Sequence, residues 1–472
     1  MNIAELVEKT SESFKAHMNK TCKDLDVAEL TEELSQTIIG NLKASWCMAS
    51  QDGLKAFLEA YDTMEAFIEV DGRVLRWKMS SDKWILTDFG KQCISRNLYQ
   101  HDGGGECYVP LDHKWNMSRH FASPNVRESV LFSSALITPE ETKQLFNKCT
   151  LFKPSTEAIK NIIEKTGVEM ESHRDPLDHV MNDSCQIPPG TRCMTVGLDG
   201  ANVLLREPGT TNRRPKERPD VSDSDTEKLS CYKNATVASI SFYGDVPDDQ
   251  ECPERLGAIY LSRMPEEGAL TLKRQLEDLL DRIETKLPRD VTRQLLMDGH
   301  ISLWGYGDNT PRFDTYTKGI DYWHTLEHLS KAAEALFGKK SKKARRWYNT
   351  YRLKLKTSDK TGAAIIRSMH YYKGKLSCMS AKRHEEYDKQ ERFFTRNKHR
   401  MTYASFRKQG LPIGSGPLEA ACKSIVKTRL CRSGMRWSRV GGQYILNLRS
   451  YVKSKLWDTF WNTARQCLDI AA

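Results

Sequence analysis

A series of short apolar segments between residues 192 and 300 constrains the fold of this chain more than any other feature. Four of them predict β-strands because they are rich in β-branched residues: RCMTVGLD, NVLLRE, NATVASISFYGD and LGAIYLSR. The amphipathic stretch ALTLKRQLEDLLDRIETKL then predicts a helix, and RQLLMDGH predicts a further strand. Strands in series, a helix and another strand form the usual order of an α/β layered domain.

The regions on either side differ in character. The start of the chain has few helix breakers, and it is followed by aromatic and β-branched segments that predict a small antiparallel sheet. Next come two predicted helices, TPEETKQLFNKC and STEAIKNIIEKTG. The predicted organisation is a helical region at 1–62, a β-sheet with a helix pair at 63–170, a linker at 171–190, an α/β domain formed by 191–320 and 411–450, a helical insertion at 321–410 and a C-terminal helix at 451–472. Within the α/β domain, the proline-rich polar stretch PGTTNRRPKERPDVSDSDTEK predicts an exposed excursion.

Basic residues are concentrated in the C-terminal third of the chain. The formal net charge is +10, but residues 339–410 contain 22 Lys or Arg against 5 Asp or Glu, a net charge of +17. A polyanion partner favours such a segment, because neutralised phosphates release condensed counterions. A merely solvated surface would not explain why the excess charge avoids the rest of the chain. The charge distribution therefore predicts contact with nucleic acid.

Other features of the sequence indicate an intracellular protein. There is no run of about 18 apolar residues, and the start MNIAELVEKTSESF has no apolar core preceded by positive charge. The 13 cysteines include no CxxC pair. We therefore expect a cytoplasmic protein with reduced thiols and no membrane association.

Two acidic residues follow predicted strands and precede glycine. They are Asp199 in MTVGLDGA and Asp298 in QLLMDGH. Asp-Gly is a common hairpin dipeptide, and for Asp199 a turn is plausible because NVLLRE follows at once and could pair back. A turn is less favoured for Asp298, because ISLWGYG resembles the start of a helix. Carboxylates at the carboxyl ends of open-sheet strands are commonly catalytic.

A third carboxylate, Glu419, lies in LPIGSGPLEA. With Gly416 as a cap and Pro417 at the first helical position, Glu419 falls in the first turn of a helix, where a carboxylate favours the positive helix end. The local pattern alone favours capping. The helix has an apolar stripe formed by Leu418, Cys422, Ile425 and Val426. Alternatively, three carboxylates beside a basic segment could hold two Mg²⁺ ions and support in-line phosphoryl transfer.

Three longer stretches resemble bacterial insertion-sequence transposases of the ISKra type, which are relatives of the Mutator-like DDE transposases. They are LPIGSGPLEAACKSIVKTRLCRSGMRW, DYWHTLEHLSKAAEALFG and LLMDGHISLWGYG. The resemblance implies an α/β RNase H-like catalytic domain with a large helical insertion, preceded by an α+β N-terminal region. It also implies a DNA transposase with a triad of Asp199, Asp298 and Glu419 that binds Mg²⁺, or Mn²⁺ in its place. Such an enzyme cleaves at element ends and joins them to target DNA.

The resemblance extends to further residues. Relatives carry a C/D-x-x-H element after the second acid, which Asp321 and His324 match, so both are implied to support the active site. Asp321 is the rival of Asp298 for the second acid, and the DG…W context favours Asp298. Many relatives also have paired cysteines in the N-terminal β region, where this chain keeps little beyond Cys107. Recognition of DNA ends would then fall to the sheet and helix pair of residues 63–168 rather than to a zinc module.

The expected partners are the terminal repeats of the element, the target DNA and a second copy of the chain, since two ends must be joined together. Basic residues interspersed with aromatic ones suit phosphate contact combined with base stacking. The predicted DNA contacts are Lys342, Lys343, Arg345, Arg346, Trp347, Lys423, Lys427, Arg429, Arg432, Arg436 and Trp437. A cytoplasmic, nucleoid-associated protein is expected. Two alternatives remain open: an RNase H-like nuclease without strand transfer, and a domesticated DNA-binding protein that has lost activity.

Overall fold

The structure is a computed structural model that describes residues 2–23, 25, 29–207, 231–375 and 379–467. The chain divides into two compact units. The first comprises Met1–Leu177 with Asp458–Ala472, and the second comprises Asp178–Trp457. Among the described residues, no helix combines the length and apolar character needed to cross a bilayer.

The first unit begins with helices α1 (Ile3–Cys22) and α2 (Glu32–Ala60). A three-stranded antiparallel sheet follows in the order β1-β2-β3, with strands β1 (Phe67–Val70), β2 (Arg73–Thr87) and β3 (Gly90–Gln100). The helices after it are α3 (Pro110–Lys114), α4 (Pro124–Leu136), α5 (Pro139–Cys149) and α6 (Thr156–Ser172). The predicted sheet and the predicted helix pair, α5 and α6, are confirmed, whereas α4 was not predicted.

The stretch predicted as a linker at 171–190 contains a helix instead. Helix α7 spans Arg174–Ser184, and the division between the two compact units falls within it. Leu177 and Met181, which are four residues apart and share one helix face, are both buried. Burial of this short apolar stripe accounts for a helix in an otherwise polar segment. The predicted exposed excursion at 208–228 lies outside the described residues.

The second unit is built on a five-stranded mixed sheet. Its strands are β4 (Cys193–Leu204), β5 (Tyr232–Tyr243), β6 (Arg255–Arg263), β7 (Thr292–Met297) and β8 (Thr317–Ile320), in the order β6-β5-β4-β7-β8. Strands β4, β7 and β8 are mutually parallel, and β5 and β6 are antiparallel to their neighbours. Helices α8 (Leu270–Lys286) and α9 (Ile301–Asn309) share one apolar core with the sheet. The predicted α/β class is therefore confirmed.

Strand β4 corrects one prediction. The segments around Asp199 and NVLLRE were expected to be two strands, with Asp199 at a strand end and a hairpin turn as the alternative. They form one continuous strand, in which Asp199 pairs with Val237 and Gly200 with Thr236 of β5. The parallel ladder to β7 ends earlier, at the pair Val196 and Leu295. Asp199 therefore lies within β4 but beyond the last residue that is paired with β7.

Alternate residues of β4 face opposite sides of the sheet. Val196 and Leu198 belong to the core formed with α8 and α9. Gly197 faces the other side, where the side chain of Leu418 lies close to its Cα. Because Asp199 is two residues beyond Gly197, its side chain points to the side that carries Leu418.

Replacement of Gly197 by Ala should destabilise the protein. A Cβ atom there would lie 2.6 Å from the backbone oxygen of Leu296 and 2.9 Å from Cδ2 of Leu418. We expect a loss of about 1–3 kcal/mol in the free energy of unfolding, measured by denaturant titration, as is usual for overpacking. Gly305→Ala on α9 is the matched control, because no atom lies within 4 Å of its Cβ position. Equal stability of the two variants would contradict the close approach.

The helical insertion follows β8. Its helices are α10 (Tyr322–Phe337), α11 (Lys342–Thr357), α12 (Thr361–Gly374), α13 (Ala381–Asn397) and α14 (Tyr403–Lys408). They enclose an apolar core that includes Leu329, Trp347 and Phe394 and continues to Ile320 of β8. The insertion is thus packed against the edge of the sheet.

The chain returns to the sheet after the insertion. Helix α15 (Gly416–Ala421) continues as a π-helical segment, Cys422–Lys427, and ends with a turn, α16 (Thr428–Leu430). Helix α17 (Arg439–Lys453) and helix α18 (Trp457–Cys467) complete the described chain. The predicted C-terminal helix at 451–472 is corrected, because Lys455 has a left-handed backbone conformation that separates these two helices.

Candidate active site

Three carboxylates from distant parts of the chain line one cavity of about 910 Å³ in the second unit. Asp199 comes from β4, Asp298 directly follows β7, and Glu419 is in α15. The cavity is also lined by His324, Glu327, Ser415, Cys422, Lys423 and Lys427. The structure therefore brings together all three acids that the resemblance implied.

Asp199 is half-buried and is held by local contacts. Its Oδ1 accepts a hydrogen bond from the backbone N–H of Gly200, at 2.6 Å. Burial raises the pKa of Asp199, and the nearby carboxylate of Asp298 raises it further, while the backbone N–H of Gly200, the thiol of Cys422 and Lys427 lower it.

Asp298 is fixed by the turn between β7 and α9 and by an aromatic side chain. Its Oδ1 accepts a hydrogen bond from the backbone N–H of His300, at 2.8 Å. Its carbonyl oxygen accepts one from Nε1 of Trp304, at 2.7 Å. The buried guanidinium of Arg400 lies 3.9 Å from the centre of the Trp304 ring and forms an ion pair with Asp308. The insertion thereby helps to hold the backbone at Asp298.

Glu419 lies in the first turn of α15, but the capping groups of this helix are bound by another carboxylate. The N-cap is Ser415 rather than the predicted Gly416. Both the backbone N–H and the hydroxyl of Ser415 donate to Oδ2 of Asp321. Glu419 is exposed and faces the cavity. The local contacts therefore do not favour the alternative that Glu419 caps the helix.

The pKa of Glu419 is also raised. Partial burial of its carboxylate is the main cause, and the carboxylates of Asp321, Asp199 and Glu327 contribute, while His324 acts in the opposite direction. The cavity thus concentrates negative charge that the described residues do not fully balance.

Asp321 has a different environment from the three acids. It is fully buried and does not line the cavity. As the N-cap of α10, it accepts a hydrogen bond from the backbone N–H of His324, while its second oxygen binds Ser415. One carboxylate therefore connects the start of the helix that carries His324 to the start of the helix that carries Glu419. This geometry favours a positioning role over the rival assignment of Asp321 as second metal ligand.

The π-helical segment after Glu419 was not predicted. Such segments are rare and are frequent at functional sites. The buried guanidinium of Arg449 on α17 donates to the carbonyl oxygens of Ser424 and Ile425, which lie inside the segment. Burial lowers the pKa of Arg449 to about 10. The segment presents Lys423 and Lys427 to the cavity, on the opposite side from the buried Ile425.

The predicted DNA contacts divide into exposed and buried side chains. The exposed ones are Lys342, Lys343, Arg345, Arg346, Lys423, Lys427, Arg432 and Arg436. Two predictions need correction because the side chains are in the interior. Trp347 is 6% exposed and donates from Nε1 to Oγ of Ser368, and Arg429 is 1% exposed and lies 5.1 Å from the centre of the Trp437 ring. Trp437 is half-buried, and its Nε1 donates to the carbonyl oxygen of Leu430.

The three carboxylates supply oxygen donors, which hard divalent cations prefer. Among the described residues, no group of three or more His, Cys, Asp or Glu side chains is arranged to hold a metal ion by itself. Mg²⁺, however, is usually bound by one or two carboxylates together with water and substrate phosphates. The oxygen donors of Asp199, Asp298 and Glu419 therefore fit ions that bind together with a phosphate-containing substrate, rather than a permanently held ion.

The raised pKa of Asp199 leads to a stability prediction. A carboxyl group with a pKa that is higher in the folded than in the unfolded state contributes stability below its unfolded pKa and loses it as the pH rises through the folded pKa. We therefore expect Asp199→Asn to raise the Tm at pH 7 in the absence of divalent cations, and the difference to vanish below about pH 3.9. Asp314→Asn, which removes a carboxylate that is 69% exposed and forms a surface ion pair with Lys318, should change the Tm little. A lower Tm for Asp199→Asn would contradict the electrostatic account of the cavity.

Comparisons with known proteins find a structural likeness but no relative by sequence. No protein-family model matches the chain, and no curated protein matches its sequence. Among solved structures, the chain is similar to one entitled "Drosophila P element transposase strand transfer complex", with 12% sequence identity and a TM-score of 0.23. The alignment covers 76% of this chain and 87% of that chain. A TM-score this low supports no argument about fold or function.

Proposed function

We propose that this chain is a DDE transposase of the ISKra type, a metal-dependent polynucleotidyl transferase with an RNase H-like catalytic domain. One observation carries the proposal: Asp199, Asp298 and Glu419, from three separate parts of the chain, line a single cavity with Lys423 and Lys427. Carboxylates that repel one another in the absence of a cation, beside exposed lysines, are suited to bind metal ions and phosphate together.

The fold supports the same function. Asp298 and Asp321 directly follow the parallel strands β7 and β8, and Asp199 lies beyond the part of β4 that pairs with β7. All three therefore lie at the carboxyl end of the parallel part of the sheet. Ligand sites in open α/β sheets usually lie at the carboxyl ends of the strands. Of these three, only Asp199 and Asp298 line the cavity. Helix α15 supplies the third carboxylate, and its Leu418 packs on the sheet at Gly197, where there is no side chain.

In the proposed reaction, Asp199, Asp298 and Glu419 would hold two divalent cations, Mg²⁺ or Mn²⁺. When bound, these cations would activate a water or a 3′-hydroxyl and stabilise the leaving oxygen in an in-line displacement at phosphorus. Lys423 and Lys427 bind the neighbouring phosphates. Asp321 acts through Ser415 and His324, because it fixes the starts of both helices.

The insertion supplies the proposed DNA-binding surface. Lys342, Lys343, Arg345 and Arg346 are exposed in the first turns of α11, next to the N-cap Ser341. The backbone N–H groups and the helix dipole at a helix N-terminus favour anions, so these cations and the helix end act together on phosphates. Arg432 and Arg436 add exposed positive charge in the loop after α16.

Substitution of this surface should change the salt dependence of DNA binding. We expect the double variant Arg345→Ala/Arg346→Ala to bind DNA more weakly at all sequences and to reduce the slope of log K against log salt by about 0.9 per lost phosphate contact. Fluorescence anisotropy with a labelled duplex at several salt concentrations measures both effects. Lys55→Ala on α2, an exposed lysine outside the proposed DNA contacts, is the control. An unchanged slope for the double variant would exclude α11 from the interface.

Incubation of the purified protein with labelled duplexes taken from the flanks of its coding sequence, in the presence of Mg²⁺, tests the function. Products joined to a target plasmid support a transposase. Cleaved but unjoined DNA supports an RNase H-like nuclease, and binding alone supports a DNA-binding protein that has lost activity. Omission of the divalent cation should abolish all products but not DNA binding.

A transposase has to hold two DNA ends together in order to join them to a target. A homodimer would hold both ends, and the sheet and helix pair of residues 63–170 would contact the terminal repeats. We propose that the protein is cytoplasmic and associates with the DNA of the nucleoid. Sedimentation of the protein with and without end DNA tests the dimer.

A further inference from the structure

A chain of hydrogen bonds connects the cavity to the helical insertion. His324 and His328 lie one turn apart on α10, with their Nε2 atoms 3.2 Å apart. Nδ1 of His328 contacts Oε1 of Gln390 on α13. Nε2 of Gln390 donates to the carboxylate of Glu386, one turn earlier on α13. His324 lines the cavity, so this chain ends at the proposed active site.

The carboxylate of Glu386 sets the direction of each hydrogen bond in the chain. Because a carboxylate only accepts, Gln390 must point its NH₂ group at Glu386, and its Oε1 then faces His328. Oε1 also only accepts, so the proton of neutral His328 is on Nδ1. Nε2 of His328 therefore carries a lone pair, and the proton in the contact between the two rings belongs to Nε2 of His324.

The ring of His328 is held neutral and fixed in place. It stacks on Phe393 of α13, with ring centres 3.5 Å apart and planes within 7°. Burial lowers the pKa of His328 to about 4, against the raising effect of Gln390 and with the help of His324, Lys331 and Lys389. Phe393 in turn packs against Gly299, where an added Cβ would overlap its ring. The α13 side chains therefore support the site next to Asp298.

Among the described residues, none is hydrogen-bonded to Nδ1 of His324, so this nitrogen is the available basic atom of the pair. Nδ1 lies 4.0 Å from Oε2 of Glu327, which is too far for a hydrogen bond, and both residues line the cavity. Charged groups from its own helix and from four other elements line the same cavity as His324. They are Glu327 of α10, Asp199 of β4, Asp298 after β7, Glu419 of α15, and Lys423 and Lys427 of the π-helical segment. The lone pair of Nδ1 is thus presented where the proposed reaction takes place.

We propose that His324 is a catalytic residue that accepts the proton of the attacking water or 3′-hydroxyl, and that His328 and Gln390 are positioning residues that keep its Nδ1 unprotonated. This inference rests on the proposed phosphoryl transfer. In the step, the O–H bond of the nucleophile breaks and its oxygen bonds to phosphorus. The bond from phosphorus to the leaving 3′-oxygen breaks with its electron pair on that oxygen, and the proton moves to Nδ1. The imidazolium keeps its hydrogen bond to His328 and is stabilised by the carboxylates of Glu327 and Glu419.

The tautomer can be tested without any activity. Long-range ¹H–¹⁵N NMR of the full chain labelled with ¹⁵N-histidine distinguishes protonated from unprotonated ring nitrogens, and His324→Ala identifies the His324 signals by their loss. We expect Nδ1 of His324 to be unprotonated and Nε2 protonated at pH 7.5. Gln390→Met removes the acceptor for His328, and mixed tautomers should then appear at both histidines. A protonated Nδ1 in the wild-type protein would overturn the assignment.

Kinetics test the catalytic role. We expect His324→Ala to lower kcat for DNA cleavage by about 10²-fold, the usual range for a general base, with unchanged KM for DNA and unchanged Tm. Gln390→Met should lower kcat by about twofold, because an equal mixture of tautomers halves the fraction of His324 that has an unprotonated Nδ1. His370→Ala on α12 is the control, because this histidine is 59% exposed and does not line the cavity.

The outcomes separate this inference from the proposed function. Full kcat of His324→Ala in a cleaving preparation overturns the catalytic role and leaves the proposed function in place. A wild-type protein that never cleaves DNA with any divalent cation overturns the proposed function and the catalytic role together. The NMR result alone then decides whether the hydrogen-bond chain sets the tautomer.

Discussion

Replacement of Glu419 by Gln should lower the rate of DNA cleavage and joining by at least about 10³-fold, because the lost metal contact removes several kcal/mol of transition-state stabilisation. The substitution conserves the shape of the side chain and removes only its charge. Glu419 is exposed, and its neighbours Asp321, Asp199 and Glu327 repel its charge, so the folded state loses nothing when the charge is removed. DNA affinity in the absence of metal should also be unchanged.

The rates are best measured by single-turnover assays with end-labelled duplex in Mg²⁺, alongside thermal unfolding of each variant. Glu334→Gln, on α10 and outside the cavity, removes the same charge from the same residue type and should retain the wild-type rate. If Glu419→Gln keeps more than about a tenth of the wild-type rate, its carboxylate does not bind a catalytic metal ion.

Replacement of Asp321 by Ala should have a different and equally large effect. The variant leaves the backbone N–H groups of Ser415 and His324 and the hydroxyl of Ser415 without their buried acceptor. Lost hydrogen bonds to a charged group cost about 1.5–3 kcal/mol each, so we expect the free energy of unfolding to fall by at least about 3 kcal/mol. Activity should fall as well, because α15 and α10 lose the contact that fixes their starts.

The comparison of stability with activity distinguishes the two acids. Denaturant titration and single-turnover rates of Asp321→Ala and Glu419→Gln give both quantities. A positioning role predicts loss of stability and activity for Asp321→Ala, but loss of activity alone for Glu419→Gln. If Asp321→Ala kept full stability and lost activity, Asp321 would be a metal ligand, and the assignment of Asp298 as the second acid would be in doubt.

Much of the site could be predicted because it depends on local patterns. Asp298 follows a short apolar strand and precedes a helix, and the structure has both. The apolar stripe around Glu419 could also be predicted, since Leu418, Cys422 and Ile425 are buried as their spacing predicts. In the insertion, Trp347 is on the same stripe as Ala344 and Leu355, both buried. This spacing could have indicated a core tryptophan where the basic neighbours suggested a DNA contact.

Other features depend on contacts between distant segments, and local patterns do not contain them. Asp199 appeared to end a strand because Asp-Gly favours turns, but pairing along the whole of β5 keeps β4 extended. Arg429 is buried beside Trp437, although an arginine in a basic segment is usually exposed. The π-helical segment is stabilised by Arg449 from another helix. The choice between a cap and a site residue for Glu419 likewise depended on Asp321, far away in sequence, which binds the N-cap Ser415.

The central claim is that Asp199, Asp298 and Glu419 act as one catalytic unit, and a comparison of single and combined variants tests it most directly. Single-turnover rates in Mg²⁺ should be measured for Asp199→Asn, Asp298→Asn, Glu419→Gln and the triple variant, with DNA binding measured separately. Residues that act as a unit have strongly non-additive effects. We therefore predict that each single variant loses nearly as much activity as the triple variant while all four still bind DNA. Losses that multiply from single to triple variants, or a triple variant that still joins DNA ends, would contradict the account.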